Sequence, residues 1–128
     1  MLMSFTFFLL LSLFNFSNNL IIKISIEKGD FCLSKIYDRD DKAIISFNVN
    51  HPDPSKQFIN LHMMNMNNGS IILKLDKTGL YKEKIKIDKS AEYRVCLKPI
   101  FNEEVAVNIS VLSEIEISET SDIANESK

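Results

Sequence analysis

Tryptophan is absent from the 128 residues, which removes one common marker of sugar-binding and base-stacking platforms. An excess of positive charge is absent as well. The 15 Lys and Arg are offset by 17 Asp and Glu, and no stretch collects basic residues without acidic neighbours. No field is built to hold a phosphate backbone, so nucleic acid is not an expected partner. Glycine occurs only at Gly29, Gly69 and Gly79, each isolated, so their spacing forms no phosphate-cradling loop. Histidine is limited to His51, beside two prolines, and His62, inside a strand-like segment. A two-histidine metal site would need a long-range coincidence. No catalytic residue, metal or cofactor is therefore expected.

A run of about 20 apolar residues, the length that crosses a bilayer, is also missing. Phe5 to Phe16 comes nearest, broken only by Thr6, Ser12 and Asn15, and no charged side chain appears before Lys23. The run stops at the polar cluster Asn15 to Asn19, as the core of a signal peptide does. Residues 1–17 are assigned to that leader, with cleavage near Ser17 or Asn18; the alternative is a buried N-terminal helix. A chain that enters an oxidising compartment with two cysteines, Cys32 and Cys96, has one intramolecular pairing open to it. That disulfide is expected to pin two sheets together. Two unpaired core cysteines are the other reading.

Helical periodicity is largely lacking, and what is present is alternation. From Leu20 onward, short segments rich in Ile, Val, Phe and Tyr are separated by polar or turn-forming residues, at intervals typical of sandwich strands. Strands are predicted over Leu20 to Ile26, Phe31 to Tyr37, Ala43 to Val49, Phe58 to Met64, Ile71 to Leu75, Leu80 to Ile87, Glu92 to Leu97 and Glu104 to Leu112. The last alternates most cleanly: Val105, Val107, Ile109 and Val111 can face a core while Ala106, Asn108 and Ser110 face away. Asn68-Gly69 supplies the positive φ of a tight hairpin turn. His51-Pro52-Asp53-Pro54-Ser55 interrupts any ladder, because proline offers no backbone donor. The fold class is all-β, an antiparallel sandwich of about eight strands in one domain over residues 20–113. Residues 114–128 are read as an acidic, polar tail or linker.

The charged groups suggest little chemistry. Lys82, Lys84 and Lys86 alternate along one strand, the pattern of a solvated face or a guarded edge. Asp38, Asp40 and Asp41 could attract calcium through hard oxygen ligands, yet a solvated turn explains them better. Asn68-Gly69-Ser70, Asn108-Ile109-Ser110 and Asn125-Glu126-Ser127 match the N-glycosylation pattern, which has meaning only in the lumen. Asn68, at a predicted hairpin tip, is the favoured acceptor.

The order of Phe31-Cys32, the strand from Gly79 to Ile87 and Glu92-Tyr93-Arg94-Val95-Cys96-Leu97 resembles the GOLD (Golgi dynamics) domain. This is the lumenal domain of the p-twenty-four (emp/gp) transmembrane cargo-receptor family. The resemblance covers roughly Leu20 to Ser113. Cys32 and Cys96 occupy the places of the family's bridged cysteines, and Tyr93 stands three before the second, as in its Tyr-x-x-Cys strand. Ser90-Ala91-Glu92 stands where the family commonly has a glycine. The resemblance implies recognition of cargo proteins and related receptor subunits in homo- or hetero-oligomers. Family members continue into a coiled coil, a membrane-spanning helix and a coat-binding tail, so membrane association is expected only of a longer product that carries the helix.

Two functions of different class follow as expectations. The first is a lumenal protein-binding domain of early secretory vesicle traffic, acting in cargo selection or receptor assembly between endoplasmic reticulum and Golgi. The second is a secreted ligand-binding or structural sandwich with no part in that traffic. An enzyme is the third and least supported class, since no constellation of residues carries it.

Overall fold

The computed structural model describes residues 20–118. The proposed leader and Asn125 lie outside them, as does most of the proposed tail. Eight strands follow in order: β1 (Leu20–Ile24), β2 (Phe31–Tyr37), β3 (Lys42–Asn50), β4 (Ile59–Asn65), β5 (Ile71–Thr78), β6 (Leu80–Lys86), β7 (Ala91–Pro99) and β8 (Val105–Ser113). A single 3-10 turn over Pro54–Lys56 interrupts the series, capped by Asp53, whose Oδ1 accepts the Ser55 amide at 3.0 Å. The strands form two four-stranded antiparallel sheets, ordered β1-β8-β3-β6 and β2-β7-β4-β5. The fold class is thus the expected antiparallel sandwich.

The pairing has a simple logic. β4 pairs with β5, β3 with β6, β2 with β7 and β1 with β8, all antiparallel. These pairs nest, so the chain is one long hairpin, with its tip between β4 and β5, rolled onto itself. The pairings β3 with β8 and β4 with β7 close each sheet. This is jelly-roll winding, one of the double-sheet solutions open to antiparallel chains.

Alternation decides which side chains make the core, because successive residues of a strand point to opposite faces. Ile45, Phe47 and Val49 of β3 and Val105, Val107 and Ile109 of β8 line the inner face of the first sheet. Ile59, Leu61 and Met63 of β4 and Tyr93, Val95 and Leu97 of β7 line that of the second. Removing such a side chain from water stabilises the fold by roughly 1.5–3 kcal/mol. Val111 packs at the margin of this core, while Ser110 is buried on the opposite side of its strand.

Three local readings need correction. The Cys32–Cys96 disulfide exists, but it does not pin the sheets to each other: it joins adjacent strands β2 and β7 within one sheet. Both cysteines hold outward positions of their strands, because Phe31 and Leu33 on one side and Val95 and Leu97 on the other take the inward ones. The Asn68-Gly69 turn is longer than a two-residue hairpin. Gly69 has φ of 75° as expected, but its amide bonds to Asn65 O at 2.8 Å, and the Asn65 side chain accepts the amides of Asn67 and Asn68. Asn65 therefore organises a wider loop. Asp41, finally, is not a solvated turn residue but a buried one.

Candidate functional site

Register places the second sheet's outward side chains in rows across its strands. One row runs Cys32, Cys96, His62 and Lys74; the next runs Ser34, Arg94, Met64 and Ile71. Beside them, Ile36 stands opposite Glu92. Ile36 is 75% exposed and Ile71 55%. The face thus joins aliphatic side chains, a methionine and an arginine around a disulfide. Arginine and methionine are enriched at protein interfaces.

The outward face of the first sheet has a different character. Ile21, Asn108, Asn48 and Leu80 form one row, and Ser110, Ser46 and Lys82 the next. Short polar residues occupy its centre. Lys82, Lys84 and Lys86 stand along β6, an edge strand, and Lys84 lies 2.8 Å from Glu114. That hydrogen bond holds the Glu114 carboxyl below its ordinary range.

At the end of the sandwich, a cleft of about 390 Å³ opens between the β4–β5 loop and the β6–β7 turn. Asn68 and Ser70 line one wall, Lys86 and Lys89 another, with Tyr93 behind them. Tyr93 is buried; its hydroxyl donates to Lys89 O at 2.7 Å, and its ring meets that of Tyr37 edge-on, centroids 6.0 Å apart. The family-motif residue Tyr93 is therefore a packing residue that ties β7 to the turn before it. Phe31, the other, is half-buried at the core's margin.

The three acceptor asparagines lie in different surroundings. Asn68 is exposed, and its Oδ1 accepts both the amide of Ser70, at 2.9 Å, and its hydroxyl, at 2.7 Å. Asn108 sits mid-sheet between Ile21 and Asn48, its Oδ1 buried without a hydrogen-bond partner among the described residues. Asn125 lies outside those residues.

The histidines do not meet. His51 accepts the Asp53 amide through Nδ1 at 2.9 Å and lies 3.0 Å from Glu103 through Nε2, whereas His62 stands beside Cys96. Among the described residues no group of three or more His, Cys, Asp or Glu is placed to hold a metal ion. No helix among them is long and apolar enough to cross a membrane.

The sequence reading missed a polar centre at Asp41. Its carboxylate accepts the amide of Lys42 at 2.7 Å, the amide of Ile115 at 3.2 Å and the hydroxyl of Ser113. Ser113 Oγ in turn accepts the amide of Glu116 at 3.2 Å. Together they cap a helical turn over residues 114–118. The signal was present in Ser113-x-x-Glu116, the spacing of a capping box. Glu116 reaches Lys35 at 3.0 Å, so this turn touches β2 as well as β6.

No protein-family model matches the chain, and no curated protein matches it by sequence. Among solved structures, the pre-peptidase C-terminal domain of a Bacillus anthracis collagenase is similar, with a TM-score of 0.56 at 11% identity, over 74% of this chain and 90% of that one. A periplasmic inhibitor of g-type lysozyme from Aeromonas hydrophila gives a TM-score of 0.42 at 11% identity, over 75% of this chain and 88% of that one. The Drosophila NLP core, described with pentamer formation and histone binding, gives 0.39 at 13% identity, over 73% and 97%. The first likeness shows a shared sandwich fold and no more. The other two carry no argument about this chain.

Proposed function

We propose that the chain is a lumenal protein-binding domain of the early secretory pathway, acting in cargo selection or cargo-receptor assembly between endoplasmic reticulum and Golgi. The observation that carries this reading is the Cys32–Cys96 bridge. Such bonds persist in oxidising compartments and are rare in the cytosol. The bridge also falls at the two positions by which the sequence resembles the GOLD domain. The recognition surface is built from strand edges and from the outward face around Arg94, since edges present unpaired backbone groups that an added segment can complete.

Translation of the chain into microsomes tests the compartment. The expected product is protected from added protease and migrates faster without reductant than with it. Cross-linking inside those vesicles then yields adducts with cargo or with related receptor subunits. A product left outside the vesicles with both thiols free would overturn the reading. Passage straight into the medium without partners would favour the secreted sandwich.

A further inference from the structure

The two sheets leave four edge strands: β1 and β6 in the first, β2 and β5 in the second. Three of them carry features that block strand addition. β1 is five residues long. β6 bears Lys82, Lys84 and Lys86. β5 pairs with β4 through two register shifts, and Lys77 on it has φ of 44°, which bends the edge away from a straight ladder.

β2 is seven residues long, has no register shift and carries one lysine where β6 carries three. It pairs with β7 in unbroken register from Phe31↔Leu97 to Tyr37↔Ala91. Its only charged side chain, Lys35, is bonded to Glu116 at 3.0 Å. The Cα atoms of Cys32 and Cys96 are 4.1 Å apart, the close spacing of a non-hydrogen-bonded antiparallel pair. Backbone groups alternate in direction along such a strand. Phe31, Leu33, Lys35 and Tyr37 therefore bond to β7, and the amides and carbonyls of Cys32, Ser34 and Ile36 point to the open side. No described residue bonds them.

The side chains around this edge specify what fits. On the inner side, Phe31 and Leu33 are only partly buried at the margin of the core, so an added strand would cover them with apolar residues at alternate positions. On the outer side, Ser34 is small and stands directly opposite Arg94. Arg94 has no ion pair among the described residues. Its guanidinium can reach over Ser34 toward a carboxylate on the next strand.

We propose that the open edge of β2 receives an extended segment of a partner protein in antiparallel pairing, with apolar residues beside Leu33 and Lys35 and a carboxylate opposite Ser34. This deepens the protein-binding reading and rests on it for its biological setting. The segment bonds through Cys32, Ser34 and Ile36 and is selected by Arg94.

The test uses the purified full chain and a capped peptide, Thr-Val-Glu-Val-Thr, with hydrogen exchange read amide by amide. Binding slows exchange at Cys32, Ser34 and Ile36 and leaves Leu33 and Lys35, already bonded to β7, unchanged. N-methylation of the peptide's glutamate amide weakens binding about tenfold, as loss of one ladder bond and the clash of the methyl group demand. Ser34→Pro has the same effect, because proline is tolerated where an edge amide faces outward. Arg94→Ala, which leaves the backbone intact, removes the preference for glutamate over glutamine. Absence of binding at millimolar peptide, or protection at another edge, overturns the proposal. Self-association abolished by Ser34→Pro overturns it also, by giving the edge to a second copy. Because this measurement needs no membrane compartment, its failure leaves the lumenal reading standing, and a failed microsome import leaves the edge standing.

Discussion

At the scale of single residues, Asp41 shows how a local reading of charge can mislead. In sequence it lies within a run of acidic and basic residues from Asp38 to Lys42, and exposure is the usual fate of such a run. Its burial follows from a contact 72 residues away, with Ser113, and from the helical turn that both residues cap. A buried carboxylate is tolerated when its lone pairs are filled, and here two amides and a hydroxyl fill them. Asp41→Ala strips these donors of their acceptor. The expected cost is about 1–3 kcal/mol, read from urea unfolding, with faster amide exchange at Ile115 and Glu116; an unchanged midpoint would show the cap to be idle. Tyr37 gives the residue-scale dependence on pH. Burial first, then the nearby carboxylates of Asp41 and Glu116, push its phenol well above the ordinary value of 10. The unfolded chain therefore releases this proton near pH 10 while the folded chain keeps it. Stability is complete below that pH and falls as pH rises past it, because the folded state then binds more protons than the unfolded one. Tyr37→Phe, which also deprives Leu112 O of its donor at 2.8 Å, should cost about 1 kcal/mol at neutral pH. The same variant should lose stability less steeply than the parent above pH 10, and an identical alkaline slope would refute the assignment.

At the scale of elements, alternation made most strands legible and adjacency made none. Phe31–Tyr37 has the expected bounds, although its residues do not alternate strictly, because the Gly29-Asp30 turn precedes it and the charged run from Asp38 follows it. Leu20–Ile24 is shorter than its apolar pattern, since Ile26 lies in a turn, its amide bonded to Phe101 O at 3.0 Å. Alternation reports which face a residue takes but not which strand lies beside it. The row of Ser34, Arg94, Met64 and Ile71 was therefore invisible, although every member was on a recognised strand. The sequence likewise shows Gly79 as an isolated glycine at the start of a strand and does not reveal the corner it makes. It is the only residue between β5 and β6, and there the chain leaves one sheet and enters the other. A Cβ at this corner would stand 2.4 Å from Gln57 O, a backbone atom that cannot swing aside. Gly79 O also accepts the amide of Val49 at 2.9 Å, so the corner cannot move without opening β3. Gly79→Ala should then cost about 1–3 kcal/mol, the range of overpacked sites. Exchange should quicken at Val49 and in β6 before the rest of the sheets, and a variant as stable as the parent would mean that the corner relaxes freely.

At the scale of the whole molecule, the nested pairing explains what the disulfide does and does not do. A bridge between sheets would hold two layers together, but these layers are already joined by a shared core of inward-facing strands. The bond instead fastens β2 to β7, the second pair from the open end of the rolled hairpin. Seven consecutive residue pairs, from Phe31↔Leu97 to Tyr37↔Ala91, set the register of that pair without it. Its effect on stability must therefore come mainly from the unfolded chain, where it closes a loop between residues 64 apart. The chain-entropy treatment gives roughly 4 kcal/mol for a loop of this size. Replacing both cysteines, as Cys32→Ser with Cys96→Ser, should lower the unfolding free energy by about that amount, read as a lower urea midpoint. Under native conditions the same protein should keep the amide-exchange pattern of β3, β4, β7 and β8, because no register contact has been removed. Slower unfolding of the bridged form alone would not discriminate; the deciding quantity is the equilibrium midpoint with and without the bond. If that midpoint stayed fixed, or if the serine pair lost protection along β7 as well, the bridge would be shaping the folded sheet, contrary to its place in the register.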